Sequence, residues 1–252
     1  MLQQAKALAD AGNHAQAIEL YKNYLTKDPT GNPATYYYLG KSLFETGDDG
    51  GAEQALHKAL ELNKDMKGAH FYLGNIALKE ENADQAVAEY EQELKLSADT
   101  WALLYNLGQA YSKAGKDDQA LAVLDKAATI DPSKPDAMML MASIYEKRKD
   151  TAKAQEMYEK VRAIDPRNAA ILFYNVGVKA WNENRAQDAA QAFKKSIEID
   201  PNYPQSHREL ARALMGVQDF QGALGQFQEY LKLNPNAPDS KEIKDNIALL
   251  KK

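Results

Sequence analysis

The sequence predicts an all-α protein made of seven repeated helix pairs and one further helix at the C-terminal end. Three observations predict it. First, alanines that open a short apolar stretch recur at Ala17, Ala52, Ala86, Ala120, Ala154, Ala189 and Ala223, at intervals of 34 or 35 residues. Second, three other columns stay in phase with them over all seven periods. Twelve residues before each lies a small residue: Ala5, Gly40, Gly74, Gly108, Ala142, Gly177 and Ala211. Four after lies a large apolar one: Tyr21, Leu56, Tyr90, Leu124, Tyr158, Phe193 and Phe227. Twelve after come Pro29, Lys64, Ala98, Pro132, Pro166, Pro201 and Pro235, proline in five of seven. Third, each period carries two apolar stripes at the 3.6-residue spacing of a helix.

Within a period the elements follow in order. Leu107, Gly108 and Tyr111 lie at i, i+1 and i+4, one stripe of a first helix. A second stripe follows in Ala120, Leu121, Leu124, Ala127 and Ala128. Ala114-Gly115-Lys116-Asp117 between them predicts a turn, with Gly115 supplying a positive φ at the helix end. Asp131-Pro132 stops the second helix, because proline lacks an N–H and restricts the residue before it. Small residues such as Gly108 and Ala120 let the paired helices approach; anything larger than alanine there would push them apart. After Pro235, Ile243, Ile247 and Leu250 share one stripe with Lys and Asp elsewhere. Residues 236–252 therefore read as the capping helix that shields the end of a stack.

Composition narrows the function. With no cysteine, the chain lacks disulfides, thiolate metal sites and a cysteine nucleophile. A formal net charge of −5 argues against a general nucleic-acid binder, which needs a basic face. No apolar run approaches the roughly 18–20 residues that span a bilayer, so no membrane insertion is expected. Met1 to Gln4 run straight into a helical pattern without a signal peptide. The first period begins part-way through its first helix, which leaves open a trimmed longer chain, and cytosol and periplasm both fit. The four histidines, His14, His57, His70 and His207, fall in different periods without convergent partners. No glycine-rich phosphate loop is present. The expectation is a protein without cofactor, metal site or catalytic residues.

A 34-residue helix–turn–helix with these columns resembles the tetratricopeptide repeat family over nearly the whole chain. The resemblance implies a right-handed α-solenoid of seven units: 1–31, 32–66, 67–100, 101–134, 135–168, 169–203 and 204–235. With the cap they would form one continuous solenoid. Positions are numbered so that the Gly/Ala column is 8 and the alanine column is 20. Position 7 is then Leu39, Leu73, Leu107, Met141, Val176 and Leu210, with Gln4 the departure in the first unit. The style of the sequence also resembles bacterial repeat proteins.

In proteins of this kind, positions 2, 5, 6, 9 and 13 of the first helix line a concave, peptide-holding groove, and positions 5, 6 and 9 are the ones singled out. Here they are Tyr37, Tyr38 and Lys41, then Phe71, Tyr72 and Asn75, then Tyr105, Asn106 and Gln109. Five rings interleaved with three amides suit anchoring of a partner's peptide or helix, with hydrogen bonds to its backbone. Later units give Met139, Leu140 and Ser143, then Tyr174 and Asn175. The family's carboxylate clamp needs Lys at 5, Asn at 9, Asn at 6 and two final basic residues. Asn75 and Asn106 match, but Phe71, Asp136 and Leu140 replace the three cations. A chaperone-tail adaptor is therefore not expected, since a carboxylate needs cationic donors.

Charge is uneven: residues 1–126 carry a net −7 and residues 127–252 a net +2. The acidic half favours a partner with a basic, aromatic or aliphatic segment. Arg208 and Arg212, i and i+4 on the groove face, are a candidate anion contact, with Lys241 and Lys244 near in sequence. Position 27, usually small, holds Tyr24, Glu93 and Tyr230. Glu93 is expected to swing to the edge, and the two end tyrosines to offer a self-contact. The leading expectation is a non-catalytic interaction scaffold. The alternatives are a self-assembling homo-oligomer joined through its end repeats, or the recognition arm of a larger enzyme or secretion apparatus.

Overall fold

A computed structural model describes residues 1–28 and 32–251. The described residues form fifteen helices and no strand. They divide into two compact units, Met1–Pro132 and Ser133–Lys252. The first unit holds α1 (Leu2–Asp10), α2 (His14–Lys27), α3 (Pro33–Glu45), α4 (Asp49–Leu62), α5 (Ala69–Lys79), α6 (Ala83–Leu96), α7 (Trp101–Lys113) and α8 (Asp117–Ile130). Neighbours in sequence pack on one another: α1 with α2, α3 with α4, α5 with α6 and α7 with α8 form pairs, and α2, α4 and α6 each also pack on the helix that follows. The second unit holds α9 (Asp136–Lys147), α10 (Thr151–Ile164), α11 (Pro166–Asn182), α12 (Ala186–Ile199), α13 (Pro204–Gly216), α14 (Phe220–Leu233) and α15 (Ser240–Leu250). It repeats the arrangement with α9·α10, α11·α12 and α13·α14, and α15 packs on α14. This is the all-α, solenoid-type stacking expected.

The columns explain the pairing. All seven alanines of position 20 are buried, and so are all seven large residues of position 24. The small residue at position 8 leaves the gap that the large side chain fills. A Cβ on Gly74 would lie 2.5 Å from Tyr90 Cε1, and one on Gly108 would lie 2.6 Å from Leu124 Cδ2. In these repeats even alanine is too large, a tighter limit than the sequence suggested. The large side chain therefore sits against bare helix backbone, which sets how closely the pair can approach.

Turns and caps set the helix bounds. The turn inside every pair places position 15 at positive φ: Gly12, Gly47, Glu81, Gly115, Lys149, Asn184 and Gln218, between 60° and 83°. Only three are glycine, and Asn184 tolerates this region, so packing imposes the backbone on Glu81, Lys149 and Gln218 at about 1–2 kcal/mol each. Asp48, Asn82, Asp150 and Asp219 then accept hydrogen bonds from backbone N–H groups at the start of the second helix. Pro166 does more than stop α10. It opens α11 as its first residue, where its missing N–H costs nothing, while Asp165 accepts from Asn168 N–H at 3.0 Å. Pro29 lies outside the described residues.

Two expectations at position 27 are corrected. Glu93 does not swing to the edge. It is 3% exposed, and its two carboxyl oxygens accept from the Gly68 N–H at 2.8 and 2.9 Å. Tyr230 is not available for self-contact either, because it is buried and donates to Asp239 at 2.7 Å. Tyr24 is half-buried. His207 is buried with both ring nitrogens bonded, to Gln226 and to the Pro201 carbonyl.

Two glycine substitutions separate the causes. Gly74→Ala is expected to cost about 1–3 kcal/mol by overpacking against Tyr90. Gly115→Ala meets no atom within 4 Å but sits at φ 74°, and is expected to cost about 1 kcal/mol from backbone strain alone. Denaturant unfolding of both variants, and of Gly74→Ser, measures this; the serine should worsen the first defect.

Candidate protein-binding surface

The nine residues singled out on the groove positions all fall on three first helices of one unit. α3 carries Tyr37, Tyr38 and Lys41, α5 carries Phe71, Tyr72 and Asn75, and α7 carries Tyr105, Asn106 and Gln109. All nine are half-buried. Their partial burial follows from the pairing below them: positions 4, 7 and 8 turn into the pair, and positions 5, 6 and 9 ride above it.

Four of the five rings form one row. Tyr38 and Tyr37 lie 5.2 Å apart between ring centroids, Tyr37 and Tyr72 6.1 Å, and Tyr72 and Phe71 5.5 Å edge to face. Phe71 continues to the buried Tyr90 at 6.0 Å, and Phe44 meets Tyr72 edge-on at 5.5 Å. Tyr105 does not join the row through these contacts. It stacks on Trp101 at 4.7 Å and 16°. Such contacts hold each ring in place, so a partner would meet them with little ordering cost.

The amides are not three independent donors. Asn75 Oδ1 accepts from Tyr90 Oη at 2.7 Å and from Asn106 Nδ2 at 2.9 Å. The Asn75 carbonyl is therefore committed internally, and the network ties α5, α6 and α7 together. The sequence reading gave both asparagines to a ligand; the hydroxyl below them had no signature in the sequence. Arg208 and Arg212 also have internal partners. Arg208 pairs with Glu209 at 2.8 Å and Asp239 at 3.1 Å, and Arg212 reaches Glu209 at 3.5 Å. Burial opposes the charge on Asp239, yet the bonds from Tyr230 and Arg208 outweigh it and hold the carboxyl below its ordinary value. Both arginines thus already face carboxylates, and Arg208 alone ties α13 to Asp239, the residue before α15.

Beside the ring row lies a cavity of about 420 Å³, lined by Tyr37, Phe71 and Tyr72 together with Lys67, Glu93 and Ser97. Sequence reasoning named Glu93 but placed it at the edge, and it missed the glycine. Gly68, at position 2, has φ 85°, and a Cβ there would sit 2.6 Å from Tyr37 Oη. A glycine at the start of a first helix and an acid at position 27 of the same repeat were the available signals. Ser97 Oγ adds a hydrogen bond to Glu93. Burial, then the neighbouring Tyr38 and Glu93, push the Tyr37 phenol up from 10.0 to about 12. No helix among the described residues is long and apolar enough to cross a membrane.

Tetratricopeptide repeat models match residues 71–135, and residues 8–70, 118–173 and 180–247. Among solved structures the chain is similar to YrrB, a TPR protein with an unusual peptide-binding site. Identity is 22%, covering 75% of this chain and 96% of YrrB, with a TM-score of 0.61. It is similar to the C-terminal part of a TPR repeat-containing protein from Cytophaga hutchinsonii, at 19% identity, 96% and 99% coverage and a TM-score of 0.73. A tetratricopeptide repeat protein from Parabacteroides merdae is 17% identical, at 100% and 97% coverage and a TM-score of 0.62. At these identities the likeness is one of fold. No curated protein matches the chain.

The raised Tyr37 pKa predicts alkaline sensitivity. The folded state favours the neutral phenol, so its contribution is whole below about pH 10 and is lost as pH rises towards 12. Tyr37→Phe is expected to flatten the fall in stability over that window, measured by unfolding at a series of pH values. An unchanged slope would show that the phenol is not held neutral by the fold.

Proposed function

The chain belongs to the tetratricopeptide repeat family, and from that premise we propose that it is a non-catalytic interaction scaffold whose working surface is the face of α3, α5 and α7. There it captures an extended or helical segment of another protein. Tyr37, Tyr38, Phe71, Tyr72 and Tyr105 anchor apolar side chains. Gln109, the Asn75 amide nitrogen and the Asn106 carbonyl are the polar groups left to meet the partner's backbone. The observation that carries the reading is the row of half-buried rings, fixed by mutual contacts and opening beside a cavity. Soluble proteins seldom leave a contiguous aromatic patch idle. YrrB is described as having a peptide-binding site, which supports the class of ligand. Lys41, about one helical turn along α3 from Tyr37 and Tyr38, suits an acidic group on the partner.

Affinity for a groove of this type is expected near micromolar, about −8 kcal/mol. The test is affinity capture from native lysate with the wild type beside a Tyr72→Ala/Tyr105→Ala variant, followed by titration of each captured protein. Loss of at least about tenfold in affinity, with circular dichroism and melting retained, is the expected result. Equal affinity of the two proteins would move the working surface elsewhere.

A further inference from the structure

We infer that the cavity beside the aromatic row receives a basic side chain, lysine or arginine, of the bound segment. The inference deepens the scaffold reading above and rests on it. It starts from Glu93. This carboxyl is 3% exposed and lines the cavity wall. Its hydrogen bonds come from the Gly68 N–H and the Ser97 hydroxyl, both uncharged donors. Among the described residues no lysine or arginine forms an ion pair with it. Lys67 lines the same cavity but is exposed and stays outside pairing distance. A buried acid without a cationic partner is costly. A cation brought by a ligand would remove that cost.

The other walls suit the same guest. Tyr37, Phe71 and Tyr72 surround the cavity, and ring faces attract an ammonium or guanidinium. Their apolar edges would cover the aliphatic stem of a long basic side chain. Charge over a longer range agrees, since residues 1–126 hold 12 basic and 19 acidic residues. Gly68 completes the fit. Any side chain at this position would collide with Tyr37 and disturb the N–H that orients Glu93.

The test uses the full chain, with amide NMR spectra of Gly68, Phe71 and Ser97 as the readout. The probes are Nα-acetyl-lysine N-methylamide and its norleucine analogue, and Nα-acetyl-arginine N-methylamide and its citrulline analogue. The basic probes are expected to shift these amides saturably, and the neutral ones to bind about tenfold more weakly. Glu93→Gln should bring the basic probes to the level of the neutral ones. Lys67→Gln, at an exposed site that does not threaten folding, should tighten the basic probes by about two- to threefold by removing a competing cation. Neutral probes shifting the amides as strongly as basic ones would overturn the inference in favour of an apolar guest. Absence of any shift at these amides would overturn it too. If the Tyr72→Ala/Tyr105→Ala variant loses its partner while the probes fail, the scaffold reading stands and the basic guest falls. If the probes bind and that variant keeps its partner, the cavity is selective for cations but the partner uses another surface.

Discussion

The structure depends on one steric constraint: in each pair, a large side chain at position 24 occupies space that exists only because position 8 is glycine or alanine. At Gly108 and Leu124 the two helices meet backbone to side chain, with no room for a methyl group. The alanine at position 20 is fully buried in six of the repeats and nearly so in the seventh. These three columns fix the distance and rotation of the helices. Other features answer to them, including the positive φ at position 15. Four non-glycine residues adopt that conformation because the turn must bring the second helix back over the first.

The same constraint builds the aromatic row. Once positions 4, 7 and 8 are committed to the pair, positions 5, 6 and 9 of α3, α5 and α7 are carried to a common face. Tyr90 links the two levels. Its ring fills the space over Gly74, and its hydroxyl rises to Asn75 and through it to Asn106. A residue chosen for packing thus also sets the amides beside the candidate ligand site. Glu93 plays a comparable double part, joining the start of α5 to the end of α6 through Gly68 and Ser97.

Much of this was legible in the sequence because repetition amplifies weak local signals. Four columns coincident over seven periods gave the helix pairs and the turns, and the family resemblance gave the ring-bearing positions. What stayed hidden depends on single residues outside the columns. Glu93 breaks the small-residue pattern, and exposure at the edge was expected because an unpartnered buried carboxylate is costly; the Gly68 N–H that donates to it is a tertiary feature with no periodic trace. Arg208 looked like an open cation because Asp239 lies 31 residues away, beyond the repeat. Tyr230 looked like a free end residue because its partner, the same Asp239, lies after the last repeat. The stacking of Tyr105 on Trp101 does follow a readable i, i+4 spacing, which the groove positions alone did not use.

The steric claim is tested most directly by a double-mutant cycle on Gly108 and Leu124, measured as unfolding free energies of the two single variants and the double. This pair makes no side-chain hydrogen bond, so the coupling reads packing alone. If Leu124 fills the space that glycine leaves, Gly108→Ala should be costly in the wild type and nearly free beside Leu124→Ala, giving a coupling of about 1 kcal/mol or more. Strict additivity, with Gly108→Ala equally costly in both backgrounds, would mean that something other than this contact fixes the helix pair.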